Sequence, residues 1–134
     1  MPLVIDASVV AAWHFPDERS AAGDSFLARL ESDRALMPAL WWFEVRNVLL
    51  IGERRGRTAR EYTERFFDFL RGLPIDIAPF PQELAVLNLA RRHQLSFYDA
   101  TYLELAQRER IALATLDRAL VRAATSEGVL LIGA

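Results

Sequence analysis

The sequence predicts an α/β protein built on a parallel sheet with helices on both faces. Three observations lead there. Five short apolar runs recur along the chain, helical periodicity fills the intervals between them, and no repeat, low-complexity tract or linker intervenes. Continuously apolar strands separated by helices are buried on both faces. Right-handed crossovers then leave a doubly wound sandwich. With 134 residues, 52% apolar and 25% charged, the chain fits one domain over 1–134 with a substantial core.

The elements follow in order. Leu3-Val4-Ile5 reads as a buried strand leading directly into a helical run from Ala7 to Trp13. A second helical pattern runs from about Glu18 to Leu30, with Phe26, Leu27 and Leu30 on one face. Ala35-Leu36-Met37 is the second strand, ended by Pro38. The third helix spans Leu40 to Arg55 and stops near Gly56; from Leu40 to Ile51 it is apolar almost all round, which predicts burial. Thr58 is placed to cap a fourth helix reaching Leu70, closed by Gly72 and Pro74. Ile75-Asp76-Ile77 is the third strand. Helices over Gln82–His93 and Phe97–Gln107 follow, the latter capped by Ser96. Ile111 to Thr115 is the fourth strand, Arg118 to Ala124 a helix ended by Gly128, and Val129 to Ile132 the fifth strand.

Composition closes several function classes. There is no cysteine, hence no disulfide scaffold, thiolate zinc site or cysteine nucleophile. All 16 basic residues are arginine, which excludes chemistry that needs a lysine amine. The acidic N-terminal stretch is unlike a secretory leader, and no apolar run approaches the roughly 20 residues that span a bilayer. The expected location is the cytoplasm, without membrane contact. A net charge of −2 argues against a basic nucleic-acid binder overall.

Ligands in open parallel sheets bind beyond the carboxyl ends of the strands. Chain direction puts four acids at that edge: Asp6 after strand one, Asp117 past strand four, Glu44 in the opening turns of the helix leaving strand two, and Asp99 in the first turn of the helix that feeds strand four. Each also has a structural reading. Asp6 and Asp117 suit helix caps, Ser96-x-x-Asp99 suits a capping box, and Glu44 suits a solvent face. Against the last, Glu44 lies in the apolar run and shares a face with Asn47 three residues on, and buried polar groups need partners. Converging carboxylates without a lysine repel one another, and a divalent cation relieves the repulsion. Carboxylate oxygens suit Mg2+, or Mn2+ in its place, rather than zinc or copper. His14 and His93 both lie at helix ends and form no ligand pair.

Four fragments, Val4-Ile5-Asp6-Ala7-Ser8, Glu44-Val45-Arg46-Asn47-Val48-Leu49, Tyr98-Asp99-Ala100-Thr101-Tyr102 and Ala114-Thr115-Leu116-Asp117, together carry a pattern. In order and spacing the chain resembles the VapC-type toxins of the PIN-domain family from end to end. The resemblance implies a three-layer α/β/α sandwich with five parallel strands in the order 3-2-1-4-5, so that Asp6 stands beside Asp117. It implies endonucleolytic cleavage of RNA, a cognate antitoxin and a homodimer. Asp6 and Asp99 would hold the first Mg2+, with Glu44 and Asp117 contributing directly or through water; Asp117 matches the family's most dispensable position. Ser8 and Thr115, each two residues from an aspartate, either orient a metal-bound water or make local cap and turn bonds, and Asn47 joins them as a polar neighbour of Glu44.

Arg54, Arg55, Arg57 and Arg60 cluster at one helix junction and Arg91, Arg92 and His93 at another; each cluster is either a phosphate contact or a solvated face. Arg46 is placed to answer the acids. Trp41, Trp42, Phe66, Phe67 and Phe69 fall at core-like spacing and most are expected in the core, but they exceed what one small sheet face covers, and the excess points to a homodimer surface, an antitoxin groove, or both. The competing reading is a non-catalytic domain of the same shape that binds RNA or protein. It would be expected to lack one of the four acids. A phosphatase or phospho-receiver would need a second acid or a lysine partner, and Asp6 is followed by Ala7-Ser8.

Overall fold

The computed structural model describes residues 1–132. Four strands, β1 (Leu3–Ile5), β2 (Ala35–Met37), β3 (Ile75–Ile77) and β4 (Ala112–Ala114), form a parallel sheet in the order β3-β2-β1-β4. In register, Leu3, Val4 and Ile5 face Ala112, Leu113 and Ala114. Successive strand residues point to opposite faces, and all three residues of β1 are fully buried. Both faces of the sheet are therefore covered. Seven helices supply the cover: α1 (Ala7–His14), α2 (Ala21–Arg29), α3 (Ala39–Arg54), α4 (Arg60–Arg71), α5 (Glu83–His93), α6 (Phe97–Glu109) and α7 (Arg118–Glu127). Helix α1 packs on α2 and α3, while α6 packs on α5, α7, β1 and β4.

The fifth strand is reduced to one bridge. Leu131 pairs in parallel with Leu113, and Leu113 N–H donates to Leu130 at 2.8 Å while Ile132 N–H donates to Leu113 at 3.1 Å. This segment lies outside β4, where the order 3-2-1-4-5 puts it. It leaves α7 through Gly128 in the left-handed region, and at the sheet edge Leu130 turns to solvent.

Three local expectations change. The pattern from Glu18 to Leu30 divides into a 3-10 turn at Pro16–Glu18 and α2, because the Ser20 hydroxyl accepts from Gly23 N–H and starts a new helix. Thr58 does not cap α4; Ala59 occupies that position, and the Thr58 hydroxyl is bonded to His14 Nε2 at 2.8 Å instead. Helix α3 is not buried all round. Trp41, Val45, Leu49 and Gly52 face the core, whereas Trp42, Phe43 and Leu50 are exposed, because α1 and α4 together cover only one side of it. At Gly52 a Cβ would come within 2.7 Å of the Phe15 ring, so the α1–α3 approach requires glycine there. Gly56, at φ +71°, stops the helix as expected.

Candidate active site

Parallel pairing of β1 with β4 brings two aspartates to one edge. Asp6 follows β1, and its N–H extends the ladder to Ala114 at 3.1 Å. Its carboxylate is 4% exposed. Two hydroxyls hold it: Ser8 Oγ donates to Oδ1 at 2.6 Å and Thr115 Oγ1 donates to Oδ2 at 2.5 Å. Each hydroxyl also accepts a backbone N–H, Ser8 from Leu116 across the strand ends at 3.3 Å and Thr115 locally from Asp117 at 3.0 Å. A hydroxyl has one proton to donate. In the structure the Ser8 and Thr115 hydroxyl protons are both directed at Asp6.

The capping contacts of Asp6, Ser96 and Asp117 are present in the structure. Asp6 caps α1 through a long contact from Val9 N–H at 3.4 Å. Asp117 caps α7 more firmly, Oδ1 accepting from Leu120 N–H at 3.0 Å, which leaves its second oxygen available. In α6 the cap is Ser96, which accepts from Asp99 N–H at 3.0 Å. Asp99 itself lies half-buried in the first turn. Glu44, in the second turn of α3, is also half-buried, and Tyr102 Oη donates to its Oε1 at 2.6 Å. Asn47 is exposed and makes no side-chain hydrogen bond among the described residues, so it shares a helix face with Glu44 without joining the network.

Electrostatics tie the four acids together. Burial raises Asp6 from 3.8 to about 6, with Asp117 adding to the shift and the Ser8 and Thr115 hydrogen bonds opposing it. Burial also raises Glu44, helped by Asp99 and opposed by Tyr102. Asp99 is raised by burial and then by Asp117. The Tyr102 phenol is pushed far up, by burial first and then by Glu44, with Asp6 and Asp99 contributing. It stays protonated and remains a donor. Among the described residues none of the four acids is ion-paired with an arginine. Arg46, a candidate to answer them, lies instead over the Trp42 ring at 3.9 Å and donates to the Trp42 carbonyl at 3.0 Å.

These residues suit a hard divalent cation by donor chemistry, since every candidate ligand atom is a carboxylate oxygen and no cationic side chain among the described residues is paired with them. As they stand, the side chains converge without closing: among the described residues no three acidic or histidine side chains meet closely enough to hold one ion. Tyr102 is the participant that sequence reasoning passed over. Its signal was present, three residues after Asp99 and therefore on the same face of α6.

A model of the PIN domain matches residues 3–125. The chain belongs to the PIN-domain family. Its curated PIN relatives include Ribonuclease VapC3 of Pyrobaculum aerophilum, 33% identical over 125 residues, covering 90% of this chain and 92% of that protein. Among solved structures with this PIN fold, PAE2754 from Pyrobaculum aerophilum superposes with a TM-score of 0.69 at 23% identity, covering 98% of this chain and 90% of its own. VapBC2 from Rickettsia felis, bound to a DNA fragment from their promoter, gives a TM-score of 0.68 at 11% identity, covering 98% and 97%.

Proposed function

We propose that this PIN domain is a divalent-metal-dependent endoribonuclease, hydrolysing RNA phosphodiester bonds, and the toxin of a toxin–antitoxin pair. The observation that supports the reading is electrostatic: Asp6, Glu44 and Asp99 are each raised by burial, Asp117 adds to the shifts of Asp6 and Asp99 and Asp99 to that of Glu44, and among the described residues none of the four is paired with an arginine. The kinship with Ribonuclease VapC3 supports the reaction class, and the VapBC2 complex supports an antitoxin partner.

Asp6 and Asp99 would hold Mg2+, or Mn2+ in its place, with Glu44 and Asp117 completing the oxygen set. An ion held there would supply a water of lowered pKa and would stabilise charge on the scissile phosphate. The chain's own part is to keep the acids in position. Ser8 and Thr115 fix both oxygens of Asp6. Asp117 is fixed through one oxygen by the start of α7.

RNA approaching an acidic centre needs basic groups at its rim. Arg57, Arg60 and Arg92 are engaged with Asp17 and Glu18, Glu64, and Glu127. Arg54, Arg55 and Arg91 are exposed and form no ion pair among the described residues, which leaves them for phosphates. Trp42 and Phe43 on α3, with Phe69 on α4, present the exposed apolar surface that suits the antitoxin or a second copy. Among the described residues no helix is long and apolar enough to cross a membrane, and cytoplasmic action fits this reading.

The test incubates the purified chain with a panel of structured RNAs in Mg2+ and in EDTA. Cleavage in Mg2+ and none in EDTA is expected; cleavage that persists in EDTA overturns the metal reading. Asp99→Asn should abolish cleavage while leaving metal-free thermal stability equal or higher, because like-charge repulsion falls. An unfolded variant would instead make Asp99 a structural residue.

A further inference from the structure

We propose that Tyr102 is a positioning residue for Glu44, holding that carboxylate within the acid cluster so that it can serve a bound cation. The proposal rests on the carboxylate reading above and adds a group outside the quartet.

Three observations carry it. First, Tyr102 Oη donates to Glu44 Oε1 at 2.6 Å, joining α6 to α3 across 58 positions of sequence. This is the one side-chain hydrogen bond that Glu44 makes among the described residues. Second, the two partners differ in freedom. Tyr102 is 1% exposed and its ring is locked in the core, whereas Glu44 is half-buried on a side chain with three rotatable bonds. The rigid partner therefore sets the position of the mobile one. Third, Tyr102 stands three residues after Asp99 on one helix face, and its phenol lies within electrostatic reach of Asp6 and Asp99 as well as Glu44. A carboxylate tethered to that hydroxyl is held on the face of α6 that carries Asp99.

The hydrogen bond uses one lone pair of Oε1. Oε2 and the remaining lone pair of Oε1 stay available. A neutral phenol suits this task better than an arginine, which would neutralise the carboxylate and remove its attraction for a cation. Partners that orient a metal-binding carboxylate typically change metal affinity by about 10-fold or more when removed.

The test uses the full chain and Mn2+ alone, titrated calorimetrically without RNA, for wild type, Asp6→Asn, Tyr102→Phe, Glu44→Gln and the Tyr102→Phe/Glu44→Gln double variant. Tyr102→Phe removes one oxygen and keeps the ring, so packing is retained; circular dichroism checks this. The expected result is an affinity loss of about 10-fold in Tyr102→Phe, and no further loss when the same change is made on Glu44→Gln. Wild-type Mn2+ affinity in Tyr102→Phe overturns the proposal. So does an equal loss in both backgrounds, which would mean that Tyr102 acts through packing and not through Glu44. The quartet reading fails separately: wild type binding no Mn2+, or Asp6→Asn binding it unchanged, would overturn that reading and this proposal together.

Discussion

At the scale of single residues, Asp6 combines two tasks that its position makes compatible. The residue directly after a buried strand is also the residue before a helix, so its carboxylate faces both the first-turn N–H groups and the sheet edge. The weak Val9 contact and the two short hydroxyl bonds show which task dominates its geometry. Burial holds its pKa at about 6 against 3.8 for an exposed aspartate. A raised folded-state value means that the native chain binds the proton more tightly than the unfolded one. The resulting stabilisation is complete below about pH 3.8 and is lost as pH rises through about 6. It amounts to about 3 kcal/mol in order of magnitude. Urea unfolding of the metal-free chain across this window should show wild type losing stability relative to Asp6→Asn as pH rises. Parallel curves would mean that Asp6 is already neutralised by some other group.

At the scale of elements, α5, α6 and α7 are tied together by one side chain at the end of α7. Glu127 accepts from Arg92 at 2.7 Å and from Gln107 at 3.1 Å, and its Oε2 is 2.6 Å from His93 Nε2. The His93 hydrogen bond is the foremost cause of its fall from 4.5 to about 2, with Arg92 and Gln107 adding to it. A depressed value has the opposite sign to that of Asp6: its stabilisation is present above about pH 4.5 and is lost as pH falls towards 2. Glu127→Gln should therefore be less stable than wild type at pH 7, and the two should converge below pH 4.5 in acid-unfolding curves followed by circular dichroism. A constant gap down to pH 2 would show that packing at the α7 terminus, and not the charge of Glu127, joins these helices. The same residue draws His93 and Arg92, which the sequence left open between a phosphate contact and a solvated face, into the framework.

At the scale of the whole molecule, 18 acidic and 16 basic residues are nearly balanced, yet their distribution is uneven. Eleven ion pairs among the described residues distribute arginines, one histidine and the N-terminus over the rest of the structure and leave the sheet edge with none. The fold thus maintains a local excess of negative charge that an external cation can relieve. A ligand that binds only the folded state stabilises it by about 2.7 kcal/mol at 100 times its Kd. Scanning calorimetry should show the melting temperature of wild type rising as Mg2+ is added, with Asp99→Asn responding far less. An equal response in the two proteins would place the ion elsewhere.

The strand order came with the resemblance to the PIN-domain family, whereas the amino-acid sequence by itself determined the parallel α/β architecture and the succession of strands and helices. Those features follow from short-range information: apolar runs, helical period, Gly56 and Gly128 as stops, and chain direction, which sends every parallel strand's end to one side. Tertiary structure alone decided the partners. Whether Thr58 capped a helix or bonded His14 depended on two segments 44 positions apart. Whether α3 was sheathed or bare along Trp42 and Phe43 depended on how many neighbours reached it. That Ser8 and Thr115 both aim at Asp6, and that Tyr102 meets Glu44, required two strands in register and two helices brought together. Hydrogen bonds act over about 3 Å. Residues distant along the chain come within that range only once the core has assembled.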